Sequence, residues 1–205
     1  MIIHPTYFPS IISYAVMLKQ DNLQFEVMDF YEKQTYRNRM YIHSANGKQM
    51  LSVQVQHTHK NEKQPYKDVL LSSDFDWQKL HWRSLETAYR TSPYFEFYED
   101  DIYPLFHQKY KYLVDFNIKT IEVLNQMLDL SFVYKKTDKF VMNYEGEKDY
   151  RFLVNAKKTL AIEAELPKYT QMFDDRNGFM PNLSILDLLF MQGPNAVSYL
   201  DEISL

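Results

Sequence analysis

Read for the spacing of its apolar positions, the chain opens as a strand, turns, and becomes a helix. Met1 to His4 is short and apolar and runs into Pro5 and Pro9, which suits a strand ending in a turn; Ile11 to Lys19 then has helical character. Gln24 to Met28 reads as a second strand. Met40 to His43 and Met50 to Gln56 flank Asn46-Gly47, a pair that suits a tight turn, so a hairpin is predicted. Leu51, Val53 and Val55 alternate with Ser52, Gln54 and Gln56, which buries one face of a strand. Val69 to Leu71 predicts a further strand.

The second half is more helical. Asp74 or Asp76 can cap a helix over 77–90, and Pro93 ends it. Asp101 to Leu130 is mostly helical, with Leu113, Phe116, Thr120, Ile121, Leu124, Met127 and Leu128 at the spacing of one buried face. Lys135 to Lys158 is polar, with short strands expected at Arg151–Val154 and Thr159–Ile162. In PNLSILDLLFMQGP, Ser184 and Asp187 have capping-box spacing and Gly193-Pro194 is a stop. No repeat or linker divides the chain. The pattern predicts a single α/β domain over 1–205, a mixed, partly parallel sheet flanked by helices, with a helical segment at 77–130 packed on one side.

Composition narrows the chemistry. The 205 residues are 45% hydrophobic and 24% charged, enough apolar material for a real core. Seventeen Tyr and 14 Phe stand against four Gly, and Gly47, Gly146, Gly178 and Gly193 lie far apart, so no glycine-rich phosphate loop or G-x-S-x-G elbow can be written. Any bound phosphate must therefore be held by cations and helix N-termini. A net charge of −4 argues against a nucleic-acid partner. Without cysteine there is no disulfide, thiolate catalysis or cysteine-ligated zinc. No stretch has the length of a membrane span, and MIIHPTYFP lacks a secretory pattern, so a cytoplasmic location is expected.

The stretch YEKQTYRNR, Tyr31 to Arg39, combines two tyrosines and three cations with no aliphatic residue. Lys33, Arg37 and Arg39 can clamp an anion while Tyr31 and Tyr36 stack on a base or sugar; a solvated loop would also be written this way. His81 lies four residues after Trp77 and four before Leu85, on an apolar helix line, where a histidine is either a general base or a core residue with one partner. His57 and His59 form an H-x-H pair without an evident third ligand, so neither a metal nor a cofactor is expected. Glu99, Asp100 and Asp101 sit ahead of an apparent helix start and complement its dipole, and Asp187 reads as a capping residue. The aromatics from Tyr94 to Phe106 suit a core more than a ligand box. HPTYFP carries His4 and Tyr7 out of a strand end, where ligands gather in open α/β sheets.

Taken in order, P-T-Y-F, Y-E-K-Q-T-Y-R-N-R, N-G, L-S-V-x-V, W-Q-K-L-H-W-R-S-L-E-T-A-Y-R-T-S-P-Y-F-E-F-Y-E-D, Y-T-Q-M-F and G-F-M-P-N-L-S-I-L-D-L-L-F-M-Q-G-P resemble the WbqC-like protein family, in the branch found in Bacteroidetes-type bacteria. The resemblance covers nearly the whole chain and is weakest over 137–166. The matching residues are Pro5, Tyr7, Phe8, Lys33, Gln34, Tyr36, Arg37, Asn38 and Arg39; then Trp77, His81, Tyr89, Pro93, Tyr94 and Phe95; then Tyr169, Gln171, Phe173, Ser184 and Asp187. Two positions depart from the branch: Asp29 stands where histidine or glutamate is usual, and Gln54 replaces a strand proline.

The resemblance implies a place in surface-polysaccharide (O-antigen type) biosynthesis, with acyl or aminoacyl transfer, glycine included, onto an activated sugar. Under it His81 or His4 is the expected base. Arg37 and Arg39 would hold a phosphate or carboxylate, with Lys33 sharing that task or stabilising an oxyanion. Tyr7, Tyr36, Asn38 and Tyr94 would shape the rest of the substrate subsite. The expected partner is a small molecule, a nucleotide sugar or an acyl donor. The alternative is a non-catalytic module that binds a nucleotide sugar or a partner protein of the same pathway.

Overall fold

The computed structural model describes residues 1–20, 22–56, 63–131, 133–144, 148–156 and 166–204. In chain order the elements are β1 (Ile2–Ile3), α1 (Ile11–Leu18), β2 (Leu23–Phe25), β3 (Arg39–Ser44), β4 (Gly47–Ser52), α2 (Trp77–Tyr89), α3 (Phe95–His107), α4 (Leu113–Met127), β5 (Tyr134–Lys136), α5 (Asp174–Asn177), α6 (Ile185–Gln192) and α7 (Ala196–Glu202). Short 3-10 turns occupy Tyr66–Asp68, Arg151–Val154 and Gly193–Asn195.

The strands form a parallel sheet in the order β1-β2-β5, with Ile3 opposite Phe25 and Phe25 opposite Lys136, and a separate antiparallel pair β3-β4. The fold is therefore α/β, with a small parallel sheet and an antiparallel hairpin flanked by helices. The crossover from β1 to β2 is α1, capped by Ser10, whose Oγ accepts from Ser13 N. Seven of its eight residues are buried, which makes α1 a core helix and explains a sequence that is apolar all round except for Ser13 and the Tyr14 hydroxyl, both hydrogen-bonded. The hairpin turns at Ala45-Asn46, and Gly47 opens the return strand at φ +96°, a conformation glycine adopts without strain.

One hydrophobic cluster runs from Met1 to Ile203. Much of the aromatic excess is spent there: Tyr7, Trp77 and Phe116 meet with ring centroids 5.4–6.3 Å apart, and Phe190 contacts Tyr89 and Phe95 at 5.1 Å. Each fully buried ring of this kind contributes roughly 1.5–3 kcal/mol by area, so Phe116→Ala, at the centre, would be among the most damaging changes.

Several sequence expectations change. The helical stretch expected from Asp101 starts earlier, at Phe95, and breaks between α3 and α4, where Leu71 N donates to Lys111 O and Leu113 N to Val69 O. Glu99 to Asp101 thus lie inside α3 rather than ahead of it, and Glu99 pairs with Arg90 at 2.8 Å. Val69–Leu71 supplies those bridging bonds but makes no full strand. Arg151–Val154 is a 3-10 turn; the extended pairing comes just before it, where Asp149 bridges Ile2 along the free edge of β1. Tyr134–Lys136 is a strand although it begins the polar stretch, because an edge strand exposed at Lys135 and Lys136 has no apolar alternation to show. Thr159–Ile162 lies outside the described residues. Ser184 does cap α6, accepting from Leu186 N, but Asp187 does not reach back to it; that side chain turns into the core.

Candidate functional site

The three parallel strands stop together, and each hands a polar residue to the same end of the sheet. After β1 comes His4, after β2 come Glu26 and Asp29, and after β5 comes Thr137. The edge segment beside β1 adds Asp149 and Arg151, and the stretch from Tyr31 to Arg39 adds Glu32 and Arg37. Between them lies a cleft of about 420 Å³, walled on its apolar side by Phe140, Met142 and Phe152, all exposed. This is the carboxyl end of a parallel sheet, where loops leaving neighbouring strands splay apart and leave a crevice.

Glu26 holds the cleft together from below. Fully buried, its carboxylate accepts from Met28 N at 2.8 Å, Asp29 N at 3.1 Å and Thr137 Oγ1 at 2.9 Å. Asp149 and Arg151 brace one wall: Arg151 donates from Nε and Nη2 to Asp149 and from Nη1 to Val141 O. Burial pushes the Asp149 carboxyl up, but Arg151 outweighs it and holds the group below the ordinary carboxylate value.

His4 and Asp29 form the second pair, with Nε2 and Oδ2 at 3.0 Å. The His4 side chain is 2% exposed and that of Asp29 26%, so Asp29 is the member that reaches the open cleft. Burial lowers the His4 pKa, opposed by the hydrogen bond to Asp29. Burial likewise pushes Asp29 up, but His4, the Phe30 amide and Arg37 together bring it below its ordinary value.

Arg37 is the unusual group. Only 1% exposed, its guanidinium lies 5.5 Å from the Tyr31 ring centre and 5.3 Å from that of Tyr66, donating to Thr35 Oγ1 and Phe30 O. Among the described residues no carboxylate stands within ion-pair distance of it; Asp29 and Glu32 act only from further away. Buried charges are ordinarily paired, and this guanidinium at the cleft has only neutral groups in direct contact among the described residues. The same stretch holds three of the six buried side-chain atoms without a hydrogen-bond partner among the described residues: Tyr31 Oη, Asn38 Oδ1 and Arg39 Nε. Such groups cost stability, and their concentration in nine residues distinguishes this segment from a solvated loop.

The other expected site residues are placed as follows. Lys33 is exposed on the same stretch. Tyr36 is buried and joins two segments through its backbone, N to Val154 O and O to Tyr7 N. Asn38 Nδ2 donates to Val53 O, and Arg39 opens β3. Tyr7 and His81 form a buried pair, Oη to Nδ1 at 2.9 Å, enclosed by Trp77 and Phe116; neither lines the cleft. Burial holds the His81 pKa down at about 4. Tyr94 occupies the N-cap position of α3 without a side-chain capping bond, and its ring lies on Gly193. His4 and Arg37 are therefore brought to one cleft, while His81 and Tyr94 belong to the packing of α2, α3 and α6.

Sequence reasoning passed over Glu26, Asp149 and Arg151, and met Asp29 only as a departure from a motif. The single local signal was a pair of acids, three apart, directly after an apolar strand. Away from the cleft, Tyr89, Tyr169 and Gln171 all donate to Asp187, at 2.6, 2.6 and 2.9 Å, which collects motif residues from three segments into one buried network. Among the described residues no three His, Asp or Glu side chains are placed to hold a metal ion; His57 and His59 lie outside them. No helix of the described residues is long and apolar enough to cross a membrane.

The model of the WbqC-like protein family matches residues 4–164 and 151–199. The chain is also 27% identical over 194 residues to the uncharacterized protein Rv1507c of Mycobacterium tuberculosis, with 83% of each chain covered. No solved structure matches it.

Proposed function

The chain belongs to the WbqC-like protein family, and from that premise we propose that it is a transferase of surface-polysaccharide biosynthesis, moving an acyl or aminoacyl group onto an activated sugar in the cleft beyond β1, β2 and β5. The observation that carries the proposal is Arg37: buried, at the cleft, and without a carboxylate of the described residues to neutralise it. A phosphate or carboxylate of the substrate supplies the missing charge. The His4–Asp29 pair next to it is the acid–base group, and the wall of Phe140, Met142 and Phe152 suits an acyl arm or a flat ring.

The test is a thermal-shift screen of nucleotide sugars, nucleotides, aminoacyl donors and acyl-coenzyme A against wild type and Arg37→Gln, followed by a turnover assay on whatever binds. A ligand at about a hundred times its dissociation constant adds about 2.7 kcal/mol, several degrees in a domain of this size. A shift in wild type that disappears in Arg37→Gln, followed by turnover, is the expected result. Binding without turnover would replace the transferase with a binding module, and a shift unchanged in Arg37→Gln would remove the cleft from the proposal.

A further inference from the structure

A neutral imidazole carries one N–H and one lone pair, so it donates at one nitrogen and accepts at the other. In His4 both nitrogens face acceptors. Nδ1 is 3.3 Å from the carbonyl oxygen of Arg151, and Nε2 is 3.0 Å from Asp29 Oδ2. With an ionised Asp29, either neutral tautomer sets a lone pair against an acceptor: the hydrogen on Nε2 leaves Nδ1 bare against the carbonyl, and the hydrogen on Nδ1 leaves Nε2 bare against the carboxylate. Both contacts are attractive together in two states only: an imidazolium against a carboxylate, or a ring protonated on Nδ1 that accepts from the carboxylic acid of Asp29. Each holds one proton more than the neutral ring with an ionised acid.

We propose that the His4–Asp29 pair stores one exchangeable proton at neutral pH, and that Asp29 is the residue which delivers it to the molecule in the cleft. The site therefore rests as an acid. His4 is a positioning residue: its two nitrogens are engaged by Asp29 and by the backbone, while Asp29 is the more exposed partner.

The surroundings fit this proton count. Facing the pair are Glu26 from the end of β2, Glu32 and Arg37 from the polar stretch, Asp149 and Arg151 from the edge segment, and Tyr66, whose ring centre is 6.3 Å from that of His4. Glu32 is exposed and screened by water. Arg37 and Arg151 balance Glu26 and Asp149, so with its proton the inner set is neutral; without it the set carries one net negative charge and repels an anion arriving at Arg37. Burial and the Arg37 charge work against the imidazolium form. Burial favours the alternative, in which a neutral ring accepts from a neutral acid, while the Arg37 charge pulls Asp29 toward its ionised form.

The chemical role rests on the transfer proposed above. The incoming N–H or O–H group attacks the acyl carbon and forms the new bond; the bond to the leaving group breaks, its electron pair passing to the leaving atom. Asp29 protonates that atom, and the proton released by the nucleophile refills the pair.

Ring-nitrogen and carboxyl-carbon NMR of the full chain at pH 7, assigned with His4→Gln and Asp29→Asn, reads the proton without any ligand. The expected spectrum shows either both His4 nitrogens protonated, or one protonated together with a protonated Asp29 carboxyl. One bare His4 nitrogen beside an ionised Asp29 would overturn the proposal, and this measurement needs only the wild-type fold. Calorimetry with sulfate, whose charge is constant between about pH 5 and 9, tests the link to the site. Sulfate affinity of wild type should fall up to tenfold per pH unit above the titration of the pair, and that of Asp29→Asn should stay flat. Equal slopes would sever the proton from the site. If wild type binds no sulfate while NMR finds the proton, the anion role of Arg37 fails and the stored proton stands.

Discussion

The phenol of Tyr89, at the last turn of α2, donates at 2.6 Å to the carboxylate of Asp187 in α6, and neither side chain reaches water. Tyr169 and Gln171 complete the shell around Asp187, and burial raises its pKa against all three. A buried carboxylate deprived of one donor loses that bond and keeps its desolvation cost. Tyr89→Phe and Tyr169→Phe should each cost about 1–3 kcal/mol in urea unfolding, and the double variant should depart from additivity by at least about 0.5 kcal/mol. Additive losses would mean that the two phenols do not share one carboxylate in solution.

His81 should make the protein sensitive to mild acid. Its folded pKa of about 4 lies below the ordinary 6.5, so the unfolded chain takes up a proton that the folded chain refuses. Its contribution is complete above pH 6.5 and is lost as pH falls toward about 4, up to about 3 kcal/mol in all. His81→Gln, which keeps an acceptor for Tyr7, should flatten melting temperature against pH in that window. An unchanged slope would assign the acid sensitivity elsewhere.

Arg37 should matter more to binding than to stability. Breaking a buried ion pair costs about 3–5 kcal/mol, but here no carboxylate of the described residues is left behind. Arg37→Met should therefore cost less than about 2 kcal/mol, mainly the bonds to Thr35 and Phe30, while abolishing anion binding. A loss of about 4 kcal/mol or more would show that the guanidinium is a structural cation.

Gly193 sits under the Tyr94 ring. A Cβ there would come within 2.5–2.7 Å of three ring atoms, at a φ of +54° that L side chains rarely adopt. Gly193→Ala should cost at least about 2 kcal/mol by thermal unfolding, and Tyr94→Ala in the same chain should recover part of it by removing the clash but not the backbone strain. Full additivity would mean that the two residues do not touch.

The local pattern determined the elements whose signal is local. Apolar runs marked β1 and α1, Asn46-Gly47 between its flanks marked the hairpin, the capping acids and Pro93 bounded α2, and the prolines and strand end of HPTYFP placed His4 where a parallel sheet opens. The unusual polarity of Tyr31 to Arg39 marked a segment that does hold a buried cation and three unsatisfied polar atoms. What pairing decides was hidden. β5 shows no alternation because it is an edge, and Asp149 and Arg151 arrive beside His4 only because the segment at 148–150 bonds to Ile2. Asp29 read as a departure from a motif until β1 and β2 set it 3.0 Å from His4. Residue type and spacing fix which groups can titrate and which faces are apolar. Which charges share a dry cleft, and which histidine is sealed in the core instead, follows from long-range strand pairing and burial, and only the tertiary structure decides it.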